Sequence, residues 1–600
     1  MKAYVWRVLR PILLLFVTAP ATRSGTSPSG HVFILRTDIR YLACDAWLLP
    51  VSDSMHVDEK WGVKEKDLPE RPTGWGTEVR LLQTADNSDS EVRKHLYAHP
   101  QPWLAHVIDT GLSIEELLAP LRQFLTEASA QLNGSRFGRA MPLLAVPMFG
   151  AALATRSIDG SLRTGENLEG MLAELRAFTA THAIDVALCT LDDAAFSAAL
   201  DCRRRADATF FAKDTTFHNE VERLARLFLD GRVSLFLGAG VSINAGLPSW
   251  QQLLDLIAAE LDYPPQHREA LTHLNPLEAA TVLEAAAGGE AALKAITAKI
   301  IGAAKRHSLQ HALLAGLPFK GCVTTNYDDL FERAVRFNGD DLAVLPAEIG
   351  EVVDRWLLKL HGDVNNPPSI VLTRADYTRF STLHSANEGV LQGLLLTQHV
   401  LFCGFSMRDE NWCRLVDAVR SPLTRGNDIR DNGQASSGDS VNNGGTGSLR
   451  LGTVLSLQQD ELFDSLWDGL LQVTPFDKIG VPPPEGVEGG AALAWHARSL
   501  EIFLDHVASV VEVERCCILL NPKYASIMSP CSTKLAAHIR TFLANLDDDS
   551  KNSRPFKQLV KLLLEMGLRT EEAKRLVDDP NIEGPYRRRL HKLQEDMPSH

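Results

Sequence analysis

Gly238, Ala239 and Gly240 follow directly on the apolar run 234–237, with Ser242 two residues further on. Glycines between a strand and a helix let backbone approach a pyrophosphate, and helix N-terminal amides bind its charge. A tight turn also needs glycine for steric reasons alone, so this segment by itself leaves nucleotide binding and a plain turn equally open. Asn326 and Asp328 follow the apolar residues Cys322 and Val323. Polar groups at the carboxyl end of a buried strand are where α/β sheets gather ligands, but Asn and Asp also cap helices, and for this segment alone the cap is favoured. His361 and Gly362 end the run 356–360. An imidazole titrates near neutral pH and suits general base work, although a lone His at a strand end is more often structural. Gly404, Ser406 and Asp409 follow the run 400–403 in the same manner.

Taken in order, these segments resemble the sirtuin family. Gly238, Ala239, Gly240, Ser242, Ala245, Gly246, Leu247 and Pro248 match its opening motif Gly-Ala-Gly-x-Ser-x-x-Ala-Gly-[Ile/Leu]-Pro. Thr324, Asn326 and Asp328 match Thr-x-Asn-x-Asp, His361-Gly362 matches the catalytic His-Gly, and Gly404 with Ser406 matches Gly-x-Ser. The resemblance covers roughly half the chain. It implies an NAD site in which Asn326 lies by the nicotinamide ribose and Asp328 contacts the carboxamide. His361 is implied as the general base, and Gly404 with Ser406 as contacts to the adenosine half. Asp409 and the segment Val371-Leu372-Thr373 with Tyr377 are typical of the divergent NAD-hydrolase branch.

The chain departs from the sirtuin deacylases in two places. Ser249, Trp250 and Gln251 stand where those enzymes usually carry acidic, Phe and Arg residues. Between His361 and Gly404 the only cysteine is Cys403, so the family's four-Cys zinc module is missing, and with it a wall of the acyl-lysine cleft. The reading preferred is an NAD glycohydrolase releasing nicotinamide and ADP-ribose, in immune or stress defence, with NAD as substrate and no zinc. Two alternatives stay open: an NAD-dependent deacylase or ADP-ribosyltransferase, and a non-catalytic NAD or ADP-ribose sensor that works by assembly.

Positioning these residues requires alternating strands and helices. The expected fold class is α/β. A Rossmann-like parallel-sheet domain spans 216–510, a separate α/β domain spans 31–205, and a small helical region covers 511–600. Buried strands are predicted at 43–51, 141–148 and 184–191, with helices at 118–132 and 165–182. Segment 425–448 is rich in Gly, Asn, Asp and Ser and is predicted to be a disordered insertion. Thr37-Asp38-Ile39, the run 44–50 and the segment 146–150 resemble a macrodomain. Pro50 and Val51 stand where that family has its ribose-binding Asn, which favours a structural or regulatory domain over an ADP-ribose site.

The chain has 600 residues and a net charge of −14, so it gains little from counterion release and no nucleic-acid partner is expected. The basic run Arg587, Arg588, Arg589 and Lys592 reads as a solvated helix face. Its 9 cysteines include no C-x-x-C, and most read as small buried hydrophobes of a reducing compartment. Lys2, Arg7 and Arg10 before an apolar stretch resemble a signal peptide; a disordered leader over 1–30 is the preferred reading. A cytoplasmic, self-associating protein without stable membrane insertion is expected.

Overall fold

The computed structural model describes residues 29–57, 61, 68–83, 100, 102–108, 112–149, 164–206, 215–350, 353–431, 450–513 and 518–577. Thirteen strands lie in these residues: β1 Val32–Arg36, β2 Ala46–Val51, β3 Leu81–Gln83, β4 Trp103–His106, β5 Leu143–Pro147, β6 Asp185–Thr190, β7 Val233–Leu237, β8 Gly321–Thr324, β9 Ala343–Leu345, β10 Trp356–Lys359, β11 His399–Cys403, β12 Gly452–Ser456 and β13 Leu471–Pro475. The first sheet runs β1-β6-β5-β2-β4-β3, parallel except for the edge pair β3–β4. The second runs β13-β12-β11-β7-β8-β10-β9 and is parallel throughout. Strands this apolar must be covered on both faces, and helices cover them.

Side chains alternate between two cores along each central strand. Phe33, Leu35, Trp47, Leu49 and Val51 face one side of the first sheet; Val32, Ile34, Ala46 and Leu48 face the other, toward helices Ile114–Gln131 and Thr164–Thr181. In the second sheet Leu235, Leu237, Cys322, Leu357 and Leu401 point one way, while Phe236, Val323, Leu358 and Phe402 point toward Trp412 and Leu391. The sheets are not independent. Leu224 and Phe228 of helix Thr216–Leu229, Leu313 of helix Leu309–Gly316, and Phe503 and Leu504 of helix Gly489–Val513 join both inner faces into one core. The helices between the sheets therefore serve both of them.

That shared layer holds a buried polar network. Asp185 of β6 pairs with Arg139 at 2.8 Å and with Arg498 at 2.7 Å. Arg139 also pairs with Glu501, whose other oxygen accepts from Asn244 at 3.2 Å. Asp505 accepts from Arg203 at 2.6 Å and pairs with His31 at 2.8 Å. Buried charges persist only when matched in this way.

Between β7 and β8 lie helices Trp250–Glu260, Pro265–Leu271, Pro276–Ala287 and Glu290–Ile301. Leu253, Ile257, Leu283 and Leu293 give this layer its own core, closed by Ile370 and Leu372 from the segment after β10. Past β11, helical backbone runs from Glu410 to Asp431, into the stretch predicted to be disordered from 425. Once nucleated, a helix gains one backbone hydrogen bond for each further residue it fixes. The rest of that insertion, most of the leader, Gly150 and the basic run 587–592 lie outside the described residues. The C-terminal helices Pro530–Ala544, Arg554–Glu565 and Thr570–Val577 pack on a small core of Leu543, Phe556 and Val560. Among the described residues no helix is long and apolar enough to cross a membrane.

Candidate functional site

Strand order and register bring the four motifs together. β7 lies between β11 and β8, so the chain leaves it toward one side of the sheet and later builds the other. Such a switch point opens a crevice at the carboxyl ends of the strands. Cys403 pairs with Leu237, Leu237 with Thr324, and Thr324 with Lys359. One level row of four residues therefore precedes Gly404, Gly238, Asn326 and His361. Asn326 and His361 each lie two positions past this row, on strands spaced by about 4.8 Å.

The glycines do not owe their place to a ligand alone. A Cβ on Gly238 would lie 2.5 Å from the Gly404 carbonyl oxygen and 2.6 Å from Phe405 Cα. Gly404 has φ +65°, and a Cβ there would meet the Val241 nitrogen at 2.5 Å. The turns after β7 and β11 are packed backbone to backbone, with the Gly240 amide donating to the Gly404 carbonyl at 2.9 Å. Ala239 precedes the single turn Gly240–Ile243. Ala245 is buried in the helical layer and Gly246 is exposed. Ser249, where the deacylase pattern breaks, caps helix Trp250–Glu260 in a reciprocal pair with Gln252.

Asn326 is held from behind. Thr324 Oγ1 donates to the Leu237 carbonyl at 3.0 Å and accepts from the Asn326 amide at 3.0 Å. Asn326 Nδ2 donates to the Gly238 carbonyl and to Ser242 Oγ, each at 3.1 Å. Ser242 Oγ in turn donates to Asp328 Oδ2 at 3.0 Å. His311 Nδ1 accepts from the Ser308 amide at 3.1 Å, which leaves the proton on Nε2, 3.4 Å from Ser242 Oγ. Ser242 is thus a hub inside the protein, its proton already committed. Asp328 spends its second oxygen on the Leu330 amide at 3.1 Å, at the start of helix Leu330–Phe337, whose N-cap residue Asp329 makes no side-chain capping bond. With its amide fixed, Asn326 presents Oδ1, which is buried and has no hydrogen-bond partner.

His361 is 3% exposed, and its Nε2 also lacks a hydrogen bond. Burial pushes its pKa below the usual 6.5, with the Asp409 carboxylate opposing that shift, so the ring is neutral at pH 7. Asp409 stands beside His361, with Oδ2 at 3.9 Å from Nε2. Ser406 lies exposed at the rim. A buried acceptor without a partner, Asn326 Oδ1, one strand away from His361, is open to a ligand's hydroxyl or water.

Several supporting residues escaped the sequence reading. Lys359 Nζ bonds the carbonyls of Tyr327 and Asp328 and pairs with Glu332 at 2.7 Å, propping the Asn326 loop from below. Burial raises Glu332 to about 7, an effect its partner Lys359 opposes. The one signal was a lysine inside the otherwise apolar run 356–360. His311, 69 residues from Ser242, carried none.

Residues 320–427 match the family profile of the SIR2-like domain. Over these residues the chain is similar to SIR2-like domains. Its similarity extends to an "NAD(+) hydrolase ThsA" of Enterococcus faecium, 31% identical over 206 residues, which is 33% of this chain and 42% of that protein. A protein of the same name from Bacillus cereus (strain MSX-D12) is 30% identical over the same shares. "Defense-associated sirtuin 2" of Bacillus subtilis is 24% identical over 217 residues, 35% of this chain and 21% of its own length. The chain thus spans less than half the length of these curated relatives. The profile takes in β8 through β11, and so holds Asn326, His361, Gly404 and Asp409 of the SIR2-like domain.

Proposed function

We propose that this chain is an NAD glycohydrolase that splits the bond between ribose C1′ and the pyridinium nitrogen of NAD, acting in defence by NAD depletion. The observation that supports it best is that Asn326 Oδ1, buried without a hydrogen-bond partner, and the buried His361 stand at level ends of neighbouring strands. The relatives named NAD(+) hydrolase and Defense-associated sirtuin support the substrate and the setting. As the bond breaks, its electron pair passes to nicotinamide and neutralises the ring charge, leaving an oxocarbenium-like ribose. Asn326 Oδ1 orients the incoming water or a ribose hydroxyl. Neutral His361 takes the proton as water adds at C1′, giving nicotinamide, ADP-ribose and a proton. Gly238, Ala239, Gly240, Ser242, Ala245, Gly246, Asp328, Gly404, Ser406 and Asp409 frame the proposed NAD site, with Ser242 and Asp328 acting through Asn326.

Nicotinamide release from NAD, with and without an acetylated peptide, tests this reading. Release is expected without peptide, and Asn326→Ala or His361→Ala should each lower it by at least about 100-fold. Strict dependence on peptide would establish the deacylase alternative instead. Unchanged release in both variants would remove the site.

A further inference from the structure

His361 has a neighbour that the reaction as described does not use. Asp409 Oδ2 faces its Nε2 at 3.9 Å and accepts from Tyr377 Oη at 2.7 Å. Asp409 Oδ1 accepts from the Trp412 amide at 2.9 Å, which fixes the carboxylate on the start of helix Glu410–Asp431. Tyr377 comes from a different helix, Arg374–Leu383. Its ring and that of Phe380 meet the imidazole edge to face, with centroids 5.5 and 5.6 Å away. The carboxylate is therefore aimed from two elements at a buried nitrogen that has no other partner.

We propose that Asp409 and Tyr377 are positioning residues for His361: Asp409 accepts the Nε2 proton and so fixes the tautomer, and Tyr377 holds Asp409. This rests on the glycohydrolase reading for its kinetic consequence, but not for its structural one. With the proton on Nε2, Nδ1 carries the lone pair and is the nitrogen that takes a proton from water. The imidazolium then formed keeps its charge beside Asp409, and a closure of about 1 Å makes a charge-assisted bond of about 2.8 Å. The logic is that of a carboxylate holding a catalytic histidine, in which neutralising the carboxylate costs about 10⁴-fold in turnover while geometry is retained. Tyr377 remains a donor, because burial and the Asp409 charge both push its phenol above the usual value.

The test uses the full chain and the variants D409N and Y377F. Asparagine keeps an oxygen for the Trp412 amide, so the helix start is preserved. D409N is expected to lower kcat by about 10²- to 10⁴-fold with KM within about 3-fold, and Y377F to lower it by about 10-fold. The groups that face His361 are Asp409, Tyr377 and, more distantly, His384. The acid limb of the kcat/KM profile should move to lower pH in D409N, since a neutral neighbour no longer favours the imidazolium. A raised KM at unchanged kcat would overturn the proposal and make Asp409 a substrate contact. A second readout needs no turnover: in histidine-labelled protein, the His361 resonance, assigned by its loss in H361Q, should change tautomer signature in D409N. An unchanged resonance would refute the proposal even if NAD is cleaved. A changed one would uphold the positioning role even if NAD is not the substrate.

Discussion

Replacing Gly238 by alanine separates two reasons for a glycine at that turn. The added Cβ would sit 2.5 Å from the Gly404 oxygen, whereas ordinary contact begins at 3.4 Å, so the turns after β7 and β11 must part by about 0.9 Å. The Gly240 amide lies 2.9 Å from the Gly404 carbonyl. The same displacement would stretch that bond to roughly 3.8 Å, past the useful range. Overpacking of this kind costs about 1–3 kcal/mol, the lost bond included. The Gly238 carbonyl also holds Asn326 Nδ2, so the shift carries Asn326 with it. A misplacement near 1 Å at a reacting group costs about 100-fold in rate. The expected outcome is therefore a lower thermal midpoint in ligand-free protein together with a loss of nicotinamide release near 100-fold. Gly393→Ala is the control, because it lies within helix Ser385–Thr397 with nothing inside 4 Å of the new methyl. It should raise stability by about 0.5–1 kcal/mol. If Gly238→Ala keeps the wild-type midpoint and only raises KM for NAD, the glycine serves phosphate approach alone and the packing argument is refuted.

Acid should loosen the joint between the sheets. Burial lowers His307 to about 3 and His311 to about 4, so both are neutral in the fold but charge near pH 6.5 when unfolded. Their contribution is complete above pH 6.5 and is lost progressively as pH falls toward 4 and below. The urea midpoint should drop over pH 6.5 to 5 and do so less steeply in His307→Gln; equal slopes would exclude His307 as a cause. Glu501→Ala leaves Arg139 buried with Asp185 as its remaining partner and should cost about 3 kcal/mol by urea titration. A loss under about 1 kcal/mol would show that the network is solvated. A chain starting at residue 216 exposes the shared apolar layer and is expected in the insoluble fraction; a soluble form with an unchanged thermal midpoint would mean that the first sheet is dispensable.

Much of this site was legible before any coordinates. Glycine, asparagine, histidine and serine at successive strand ends are local features, and the apolar runs before them mark buried parallel strands without tertiary information. The same locality explains the helix at 165–182 and the strands near 143 and 185. What stayed hidden was set by partners far apart in the chain. Asp409 and Tyr377 reach His361 only because helix Arg374–Leu383 and the start of helix Glu410–Asp431 pack into one core with β10 and β11. His311 reaches Ser242 across the shared helix layer, and Lys359 supports a loop 31 residues earlier. The sequence by itself determined which residues are candidates for the chemistry and that each would stand at a strand end. The level row Cys403–Leu237–Thr324–Lys359, and the single core that ties both sheets to it, were decided by the tertiary structure, because strand register and shared burial depend on contacts that no local pattern encodes.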